Sequence, residues 1–129
     1  MVNTAEQLAG RMAIVVEVRH QDPLLMRGVV ATLGEDVRFT VQVGDPAGEA
    51  LPGAVGADVV VTDYETGIAL ASAPCRRGHG PRVMVVTPRD GEVDVRLALS
   101  RGVLGYVVMG CRLGEIADCA MAVHRGSGT

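Results

Sequence analysis

The chain contains no lysine and no tryptophan, and aromatic residues make up only 2% of its 129 residues. With so few rings, the core must consist mainly of Val, Leu, Ala, Ile and Met, a composition that suits strands covered by helices. The longest apolar runs have the length of a strand and fall far short of a membrane span. A single domain that can bury a core without disulfides or metal is therefore expected.

Positive charge and cysteine are also scarce, and each scarcity excludes a class of protein. The formal net charge is −3 and the arginines are spread along the chain, so direct nucleic-acid binding is not expected. Three cysteines without a CxxC pair favour free thiols in a reducing compartment. Cys75 and His79 share a loop but lack the further ligands of a structural zinc site, so no metal site is predicted. The amino terminus lacks the pattern of a signal peptide, and a cytoplasmic location is expected.

Hydrophobic periodicity predicts strands that alternate with helices along the chain. The predicted strands are Met12–Val18, Phe39–Val43, 57–63, Val83–Thr87 and Gly105–Val108. The predicted helices lie near residues 23–34, 46–55, 68–72, 93–98 and 113–123. Such alternation favours a parallel sheet with helices on both faces, in which ligands collect at the carboxyl ends of the strands. Asp63 and Thr87 stand at such ends, and Met109 stands just past another.

Short local signals predict where two of the helices begin and end. Asp22 precedes a proline at the first helical position, an order that predicts a capping carboxylate. Gly34 is expected to end this helix through a positive φ, and Gly102 is expected to end a later helix.

Hydrophobic periodicity is weak in residues 64–81 and clear in the residues that follow. The connection 64–81 is predicted to be mostly irregular, with a short helix around residues 68–72. Beyond it, Val93, Leu97 and Ala98 are expected to lie on one face of a helix.

The stretch 82–110 contains, in order, a strand that ends in Thr87, a helix, Arg-Gly-Val-Leu-Gly-Tyr at 101–106 and Val-Val-Met at 107–109. This order resembles the second half of a bacterial response-regulator receiver domain. The family pattern there is a strand, Thr, a helix, Ala-Gly-Ala-x-Gly-Tyr and Val-Val-Lys. Here the corresponding residues are Arg-Gly-Val-Leu-Gly-Tyr and Val-Val-Met.

The opening of the first helix, residues 22–29, resembles receivers that precede a helix-turn-helix DNA-binding domain. Residues 12–126 are accordingly predicted to form one receiver-like domain. Residues 1–11 are predicted to be a flexible leader, and residues 127–129 a tail or the start of a linker. The resemblance implies a flavodoxin-like (βα)5 fold of the α/β class, with a doubly wound parallel sheet in three layers.

The resemblance also implies a role for residues at the carboxyl edge of the sheet. Asp63 stands at the phosphoacceptor position, and Thr87 and Tyr106 stand at the switch positions of the family. Met109 stands where the family has an invariant Lys, so this position is degenerate. A thioether cannot pair with an aspartyl phosphate as an ammonium does, and Met109 is expected to fill the Lys space as an apolar side chain.

A second departure concerns the acidic pair that holds the family's divalent cation after the first strand. Alignment on the proline of the first helix places His20 and Gln21 there, and one extra residue in the turn places Arg19 and His20 there instead. Neither choice restores two carboxylates, so Mg²⁺ binding is predicted to be lost or weak and no cofactor is expected. Glu17 and Asp22 lie nearby as displaced ligands, and Glu17 is the poorer candidate because it lies within the strand.

The loop after Asp63 is the third departure, because the family's Asp-x-x-Met-Pro-x-x-x-Gly is reduced to the five residues 63–67. Loss of the metal site and the Lys should raise the phosphoryl-transfer barrier by several kcal/mol, since one electrostatic stabiliser is typically worth ~3–4 kcal/mol. Asp63 is therefore expected to be phosphorylated poorly or not at all.

These residues also have ordinary structural interpretations. Asp63 could cap a helix or turn, Thr87 could end a strand, and Tyr106 could be a half-buried strand aromatic. Arg89 is most simply a solvated loop charge.

The sequence thus predicts an atypical receiver domain that acts as a regulatory protein-interaction module in transcriptional regulation. It is not expected to be an enzyme, because no phosphate-cradling glycine loop follows the first strand and no nucleophile and base pair is evident. A homodimer is expected, through the surface 90–123 or through the first and last helices. A DNA-binding domain or a signalling protein is the expected further partner.

Two alternative functions stay open at this point. The chain could be a functional receiver that accepts phosphate on Asp63 from a histidine kinase. It could also be a pseudo-receiver that senses a small ligand. The pocket for that ligand is predicted to be lined by His20, Asp63, Thr87 and Met109.

Overall fold

The computed structural model describes residues 13–45, 57–72, 82–110 and 112–126. The predicted leader, the weak helix at 46–55, the loop that carries Cys75 and His79, and the tail lie outside these ranges. Within them, no helix is both long and apolar enough to cross a membrane.

Strands and helices alternate along the described ranges as predicted, except between the second and third strands, where the predicted helix 46–55 lies outside these ranges. The strands are β1 (Ile14–Arg19), β2 (Phe39–Val43), β3 (Val59–Thr62), β4 (Val83–Thr87) and β5 (Gly105–Val108). The helices are α1 (Pro23–Gly34), α2 (Tyr64–Ser72), α3 (Glu92–Ser100) and α4 (Leu113–Gly126). The strands form one parallel sheet in the order β2-β1-β3-β4-β5. The flavodoxin-like α/β fold is confirmed.

The strand order brings the predicted site residues to one edge. β1 lies between β2 and β3, so the direction of winding reverses at β1, and ligands in such sheets collect beside this reversal. In the register of the sheet, Arg19 is opposite Thr62, and Thr62 is opposite Val85. The residues that follow β1, β3 and β4 therefore meet at the carboxyl edge.

Each face of the sheet has its own apolar core. Alternate residues of the strands face opposite sides, so α1 and α4 cover one face while α2 and α3 cover the other. The buried residues of the first face are Ile14, Val16, Val18, Val29, Leu33, Phe39, Val59, Val61, Met84, Val86, Val107, Ile116, Ala117, Ala120 and Val123. Those of the second face are Val60, Tyr64, Leu70, Val83, Val85, Ala98 and Val103. This arrangement gives the three layers that were predicted.

The boundaries of α1 agree with the sequence at its start and differ at its end. The Asp22 carboxylate accepts hydrogen bonds from the backbone N–H groups of Leu24 (3.0 Å) and Leu25 (3.4 Å), so the predicted cap is confirmed. Gly34 is the last residue of the helix, but it has no positive φ, and that prediction is wrong. The C-cap is Glu35 in a right-handed conformation, so the turn does not need the freedom of a glycine.

The end of α3 follows the prediction, and part of its apolar surface is exposed. Gly102 has φ +103°, a left-handed conformation that glycine adopts without a steric cost. Val93, Leu97 and Ala98 all lie in α3, where Ala98 is buried while Val93 is 79% and Leu97 42% exposed. The side of α3 that carries Val93 and Leu97 is left uncovered.

The segment after Asp63 is more regular than predicted. It was expected to be a loop with a short helix at residues 68–72, but α2 begins at Tyr64 and runs to Ser72. The helix starts early because Asp63 caps it and Gly67 fits closely against the sheet. A Cβ added at Gly67 would lie 2.5 Å from both Thr62 Oγ1 and Val85 Cγ2.

Candidate functional site

Asp63 joins two segments at the carboxyl edge through its carboxylate. One oxygen accepts a hydrogen bond from the Thr66 N–H (3.1 Å), the geometry of an N-cap for α2. The other oxygen accepts a hydrogen bond from the Gln21 N–H in the β1–α1 loop (3.1 Å). Both oxygens of the predicted phosphoacceptor thus accept backbone hydrogen bonds, which is the capping role considered for this residue.

His20 lies buried beside Asp63, with only 5% of its surface exposed. Its Nδ1 accepts a hydrogen bond from the Asp22 N–H (3.1 Å), so the ring proton is on Nε2. Nε2 then donates to the Val86 carbonyl on β4 (2.9 Å). β1 and β4 lie on either side of β3, so the His20 ring spans the end of β3 and ties its two neighbours together.

Of the two alignments left open by the sequence, the geometry brings His20 and Gln21 to Asp63. Arg19 is the last residue of β1, and its guanidinium forms an ion pair with the Glu17 carboxylate. Glu17 also accepts a hydrogen bond from the Gln42 side chain on β2 (3.0 Å). Arg19 and Glu17 therefore interact on the β2 side of β1, and Glu17 does not serve as a displaced ligand beside Asp63.

Thr87 ends β4, and Met109 directly follows the adjacent strand β5, on the other side of Asp63. The Met109 N–H donates to the Thr87 carbonyl (2.9 Å), while the Thr87 hydroxyl accepts a weak hydrogen bond from the Arg89 N–H (3.3 Å). The Met109 side chain is 37% exposed. The chain turns at Gly110 (φ +99°) directly after Met109, and the filling of the Lys space by Met109 stays a prediction.

Tyr106 lies on β5 and faces α2, where its ring meets that of Tyr64. The ring centroids are 6.2 Å apart and the rings are nearly perpendicular, a favourable edge-to-face arrangement. The Tyr64 hydroxyl donates to the Asp94 carbonyl in α3 (2.9 Å), and the Tyr106 hydroxyl donates to the Arg89 carbonyl (2.9 Å). The two tyrosines therefore anchor α3 and the loop before it.

Arg89 is an exposed loop residue, as the ordinary interpretation had it, but it also has specific neighbours. Its guanidinium lies 4.7 Å from the centroid of the Tyr64 ring. It also lies 3.7 Å from the Glu65 carboxylate and 3.9 Å from the Asp94 carboxylate. Arg89 thus connects the β4–α3 loop to the first turn of α2.

Burial raises the pKa of Tyr106 above its ordinary value, and the neighbouring Tyr64 adds to the shift. Asp94 and Asp90 raise this pKa further, whereas Arg89 acts in the opposite direction. The Tyr106 hydroxyl is therefore protonated at neutral pH and remains able to donate its hydrogen bond.

The carboxylates around this edge are dispersed. In the described part of the chain, no group of three or more His, Cys, Asp or Glu side chains could hold a metal ion. Near Asp63, the Asp22 carboxylate caps α1 and the Glu17 carboxylate pairs with Arg19.

With this geometry in hand, comparison with solved structures relates the fold to response-regulator receiver domains. The response regulator ChrA of a heme-sensing two-component system is 26% identical, with a TM-score of 0.67 over 89% of this chain and 58% of ChrA. The receiver domain of NarL from Mycobacterium tuberculosis is 23% identical, with a TM-score of 0.73 over 88% of this chain and 98% of that domain. A LuxR-family response regulator from Aurantimonas sp. SI85-9A1 is 19% identical, with a TM-score of 0.73 over 88% and 86%.

No family model and no curated protein matches the sequence at a significant level. The chain spans little more than half the length of ChrA. The fold is that of a response-regulator receiver domain, as the motif in residues 82–110 predicted.

Two residues of this edge were missed by the sequence analysis. Tyr64 was assigned to an irregular segment, and Arg89 was treated as a solvent-exposed charge. One available signal was composition, since the chain has only two tyrosines and one of them directly follows Asp63.

Proposed function

We propose that this chain is an atypical receiver domain that acts as a regulatory protein-interaction module and is not phosphorylated in the usual way on Asp63. The observation that carries the proposal is the network around that residue. Both Asp63 oxygens accept backbone N–H groups, and the neighbouring position holds the buried His20 instead of a carboxylate. The carboxylate thus serves to join α2 to the β1–α1 loop.

The donor set at this edge does not fit the magnesium ion that receiver chemistry requires. Mg²⁺ prefers oxygen ligands in octahedral geometry, and it usually takes one or two carboxylates together with water. His20 offers Nε2–H, a donor, toward the Val86 carbonyl, and its Nδ1 accepts a hydrogen bond from Asp22. We propose that magnesium binding is lost or weak.

The position of the family's Lys also holds no cation that could neutralise a phosphoryl group. Met109 is uncharged, and the chain contains no lysine that could take its place. The guanidinium of Arg89, in the loop after β4, lies over Tyr64 and close to Glu65 and Asp94. Each missing electrostatic stabiliser typically costs ~3–4 kcal/mol in the barrier, so transfer to Asp63 is expected to be very slow.

Incubation of the full chain with a small-molecule acyl phosphate and Mg²⁺, followed by intact-mass measurement, tests this proposal. We expect no phosphoryl adduct on the wild-type chain and the same spectrum for Asp63→Asn. Stoichiometric, acid-labile addition that disappears in Asp63→Asn would show instead that the chain is a functional receiver, which is the competing prediction.

The interaction surface in this proposal is the uncovered side of α3 with the adjoining β5 and α4. Val93 and Leu97 are exposed there, and Leu104 before β5 is about half exposed. Exposed aliphatic side chains on one helix favour burial against a partner. We propose that the partner is a second copy of the chain, and that the dimer works in transcriptional regulation in the cytoplasm with a DNA-binding domain.

Two variants distinguish the two predicted dimer surfaces. Leu97→Asp places a charge on α3, whereas Leu24→Asp places one on α1, where Leu24 is 82% exposed. We expect a dimer by sedimentation that Leu97→Asp dissociates and Leu24→Asp leaves intact. Dissociation by Leu24→Asp alone would move the interface to the first and last helices, and a monomer at high concentration would exclude the dimer.

A further inference from the structure

The two tyrosines of the chain lie together with one arginine at the junction of α2, α3 and β5. Tyr64 is buried in the first turn of α2, and its hydroxyl reaches across to the Asp94 carbonyl of α3. Tyr106 comes from β5 and holds the carbonyl of Arg89, in the loop that leads into α3. The two hydroxyl groups therefore bind the first turn of α3 and the loop that precedes it.

Arg89 packs against Tyr64 on the side that faces solvent. Its guanidinium lies on the Tyr64 ring, and the carboxylates of Glu65 and Asp94 are both within 4.0 Å. Glu65 belongs to the first turn of α2 and Asp94 to the first turn of α3, so Arg89 attracts both helices. Its own N–H donates to the Thr87 hydroxyl, which positions the loop.

We propose that Tyr64, Arg89 and Tyr106 form a clasp that fixes the position of α3 and couples it to Asp63. The connection is short: Asp63 caps α2 through the Thr66 N–H, and Tyr64 in the same turn donates to α3. A change at Asp63 therefore reaches α3 through Tyr64, its chain neighbour. The Thr87 hydroxyl takes part only by accepting from Arg89.

This clasp goes beyond the proposed function, because it does not depend on whether Asp63 accepts phosphate. Its role is to set the α3 surface in one position by contacts within the domain. A failed phosphorylation assay and a failed clasp assay are therefore independent results.

Hydrogen exchange measured on the full chain tests whether the clasp holds α3. Tyr64→Phe removes the hydrogen bond to Asp94 but keeps the ring and its packing, so the fold is retained. We expect amide exchange in residues 92–100 to accelerate about 2- to 10-fold, the range for loss of one hydrogen bond, while β1 and β3 are unchanged. Unchanged exchange in residues 92–100 would overturn the clasp.

Arg38→Ala is the matched control for Arg89→Ala. Arg38 also lies over an aromatic ring, 5.5 Å from the centroid of Phe39, and pairs with an acid, Asp36. It belongs to the turn before β2. Arg89→Ala is expected to accelerate exchange in residues 92–100, and Arg38→Ala is expected to leave it unchanged. Equal effects of the two variants on these amides would contradict the proposal.

The coupling to Asp63 is tested by combining substitutions. Asp63→Ala is expected to accelerate exchange in residues 92–100 of the wild-type chain but to add little in the Tyr64→Phe background. Equal acceleration in both backgrounds would show that Tyr64 does not carry the coupling.

The tyrosines themselves provide a second measurement. The chain has two tyrosines and no tryptophan, so fluorotyrosine labelling gives signals from the clasp alone. Arg89→Ala is expected to shift the Tyr64 signal, and Arg38→Ala is expected to shift neither. If Arg89→Ala moves neither signal, Arg89 is not part of the clasp.

Discussion

The two faces of the sheet are built from different kinds of contact. The face under α1 and α4 is buried through aliphatic side chains with one aromatic residue, Phe39. The face under α2 and α3 has a smaller buried cluster, and it ends in Tyr64 and Tyr106, whose hydroxyls bind backbone carbonyls. Aliphatic burial holds the first face together, whereas directed polar contacts fix the position of a helix on the second. Asp63, which caps α2, and the exposed side of α3 both belong to the second face.

The largest effect on the free energy of unfolding is expected for a core truncation on the first face. Leu33 of α1 is fully buried, so Leu33→Ala should reduce the free energy of unfolding by ~2–5 kcal/mol through lost burial and a residual cavity. Denaturant unfolding measures the loss. Leu24→Ala in the same helix is the control, since its exposed side chain should cost little. A loss below that of Leu24→Ala would mean that the first face is loosely packed.

Gly67 gives the corresponding test on the second face, where added volume is the perturbation. In Gly67→Ala the new Cβ would meet Thr62 Oγ1 and Val85 Cγ2 at 2.5 Å, so α2 must shift and stability should fall by ~1–3 kcal/mol. Gly28 in α1 has nothing within 4 Å of an added Cβ, so Gly28→Ala should stabilise by roughly 0.5–1 kcal/mol. Equal effects of the two substitutions on thermal unfolding would contradict the close fit of α2.

A smaller loss is expected when the cap of α2 is removed. Asp63→Ala leaves the N–H groups of Thr66 and Gln21 without their acceptor and should cost about 1 kcal/mol of stability. Asp63→Asn should cost less, because the amide oxygen can still cap the helix. A similar loss in both variants would show that the charge of Asp63, and not its acceptor geometry, is what stabilises this edge.

The smallest effect is the alkaline pH dependence of the second face. Because the pKa of Tyr106 is raised in the folded state, the folded chain binds this proton more tightly than the unfolded chain. The stabilisation of the folded chain by this proton is fully present below the ordinary tyrosine pKa of about 10. It is lost as the pH rises through the raised pKa of Tyr106. The midpoint temperature of thermal unfolding should therefore fall more steeply from pH 9 upward for wild type than for Tyr106→Phe. Parallel curves for the two proteins would contradict this linkage.

The same contrast explains which features the sequence predicted. The apolar runs of β1, β3 and β4 and the cap at Asp22 depend on local pattern, and the structure contains them near the expected positions. The start of α2 was missed because its first turn is polar and contains Gly67, so nothing in the pattern shows that the turn packs on the sheet. Val93 and Leu97 keep helical spacing whether or not a partner covers them, and spacing alone could not show their exposure.

The candidate site was predicted only as a set of positions. The sequence placed Asp63, Thr87 and Met109 at the carboxyl edge, where the structure also has them, and placed Tyr106 within β5. It could not show the contacts of His20 or Arg89, because these depend on residues far apart in sequence, Val86 and Tyr64. The sequence therefore predicted which residues lie at the site. It could not predict their hydrogen bonds, which depend on how distant segments pack in the folded chain.

The hydrogen bond from His20 to Val86 affects how this edge could change in evolution. Replacing His20 by an acid would put a carboxylate near the Val86 carbonyl and leave that buried oxygen without its donor. An unsatisfied buried polar group costs ~1–3 kcal/mol, so replacing His20 by the acid of the family pattern is expected to destabilise the fold. The hydrogen bond that ties β1 to β4 therefore also limits which side chains position 20 can accept.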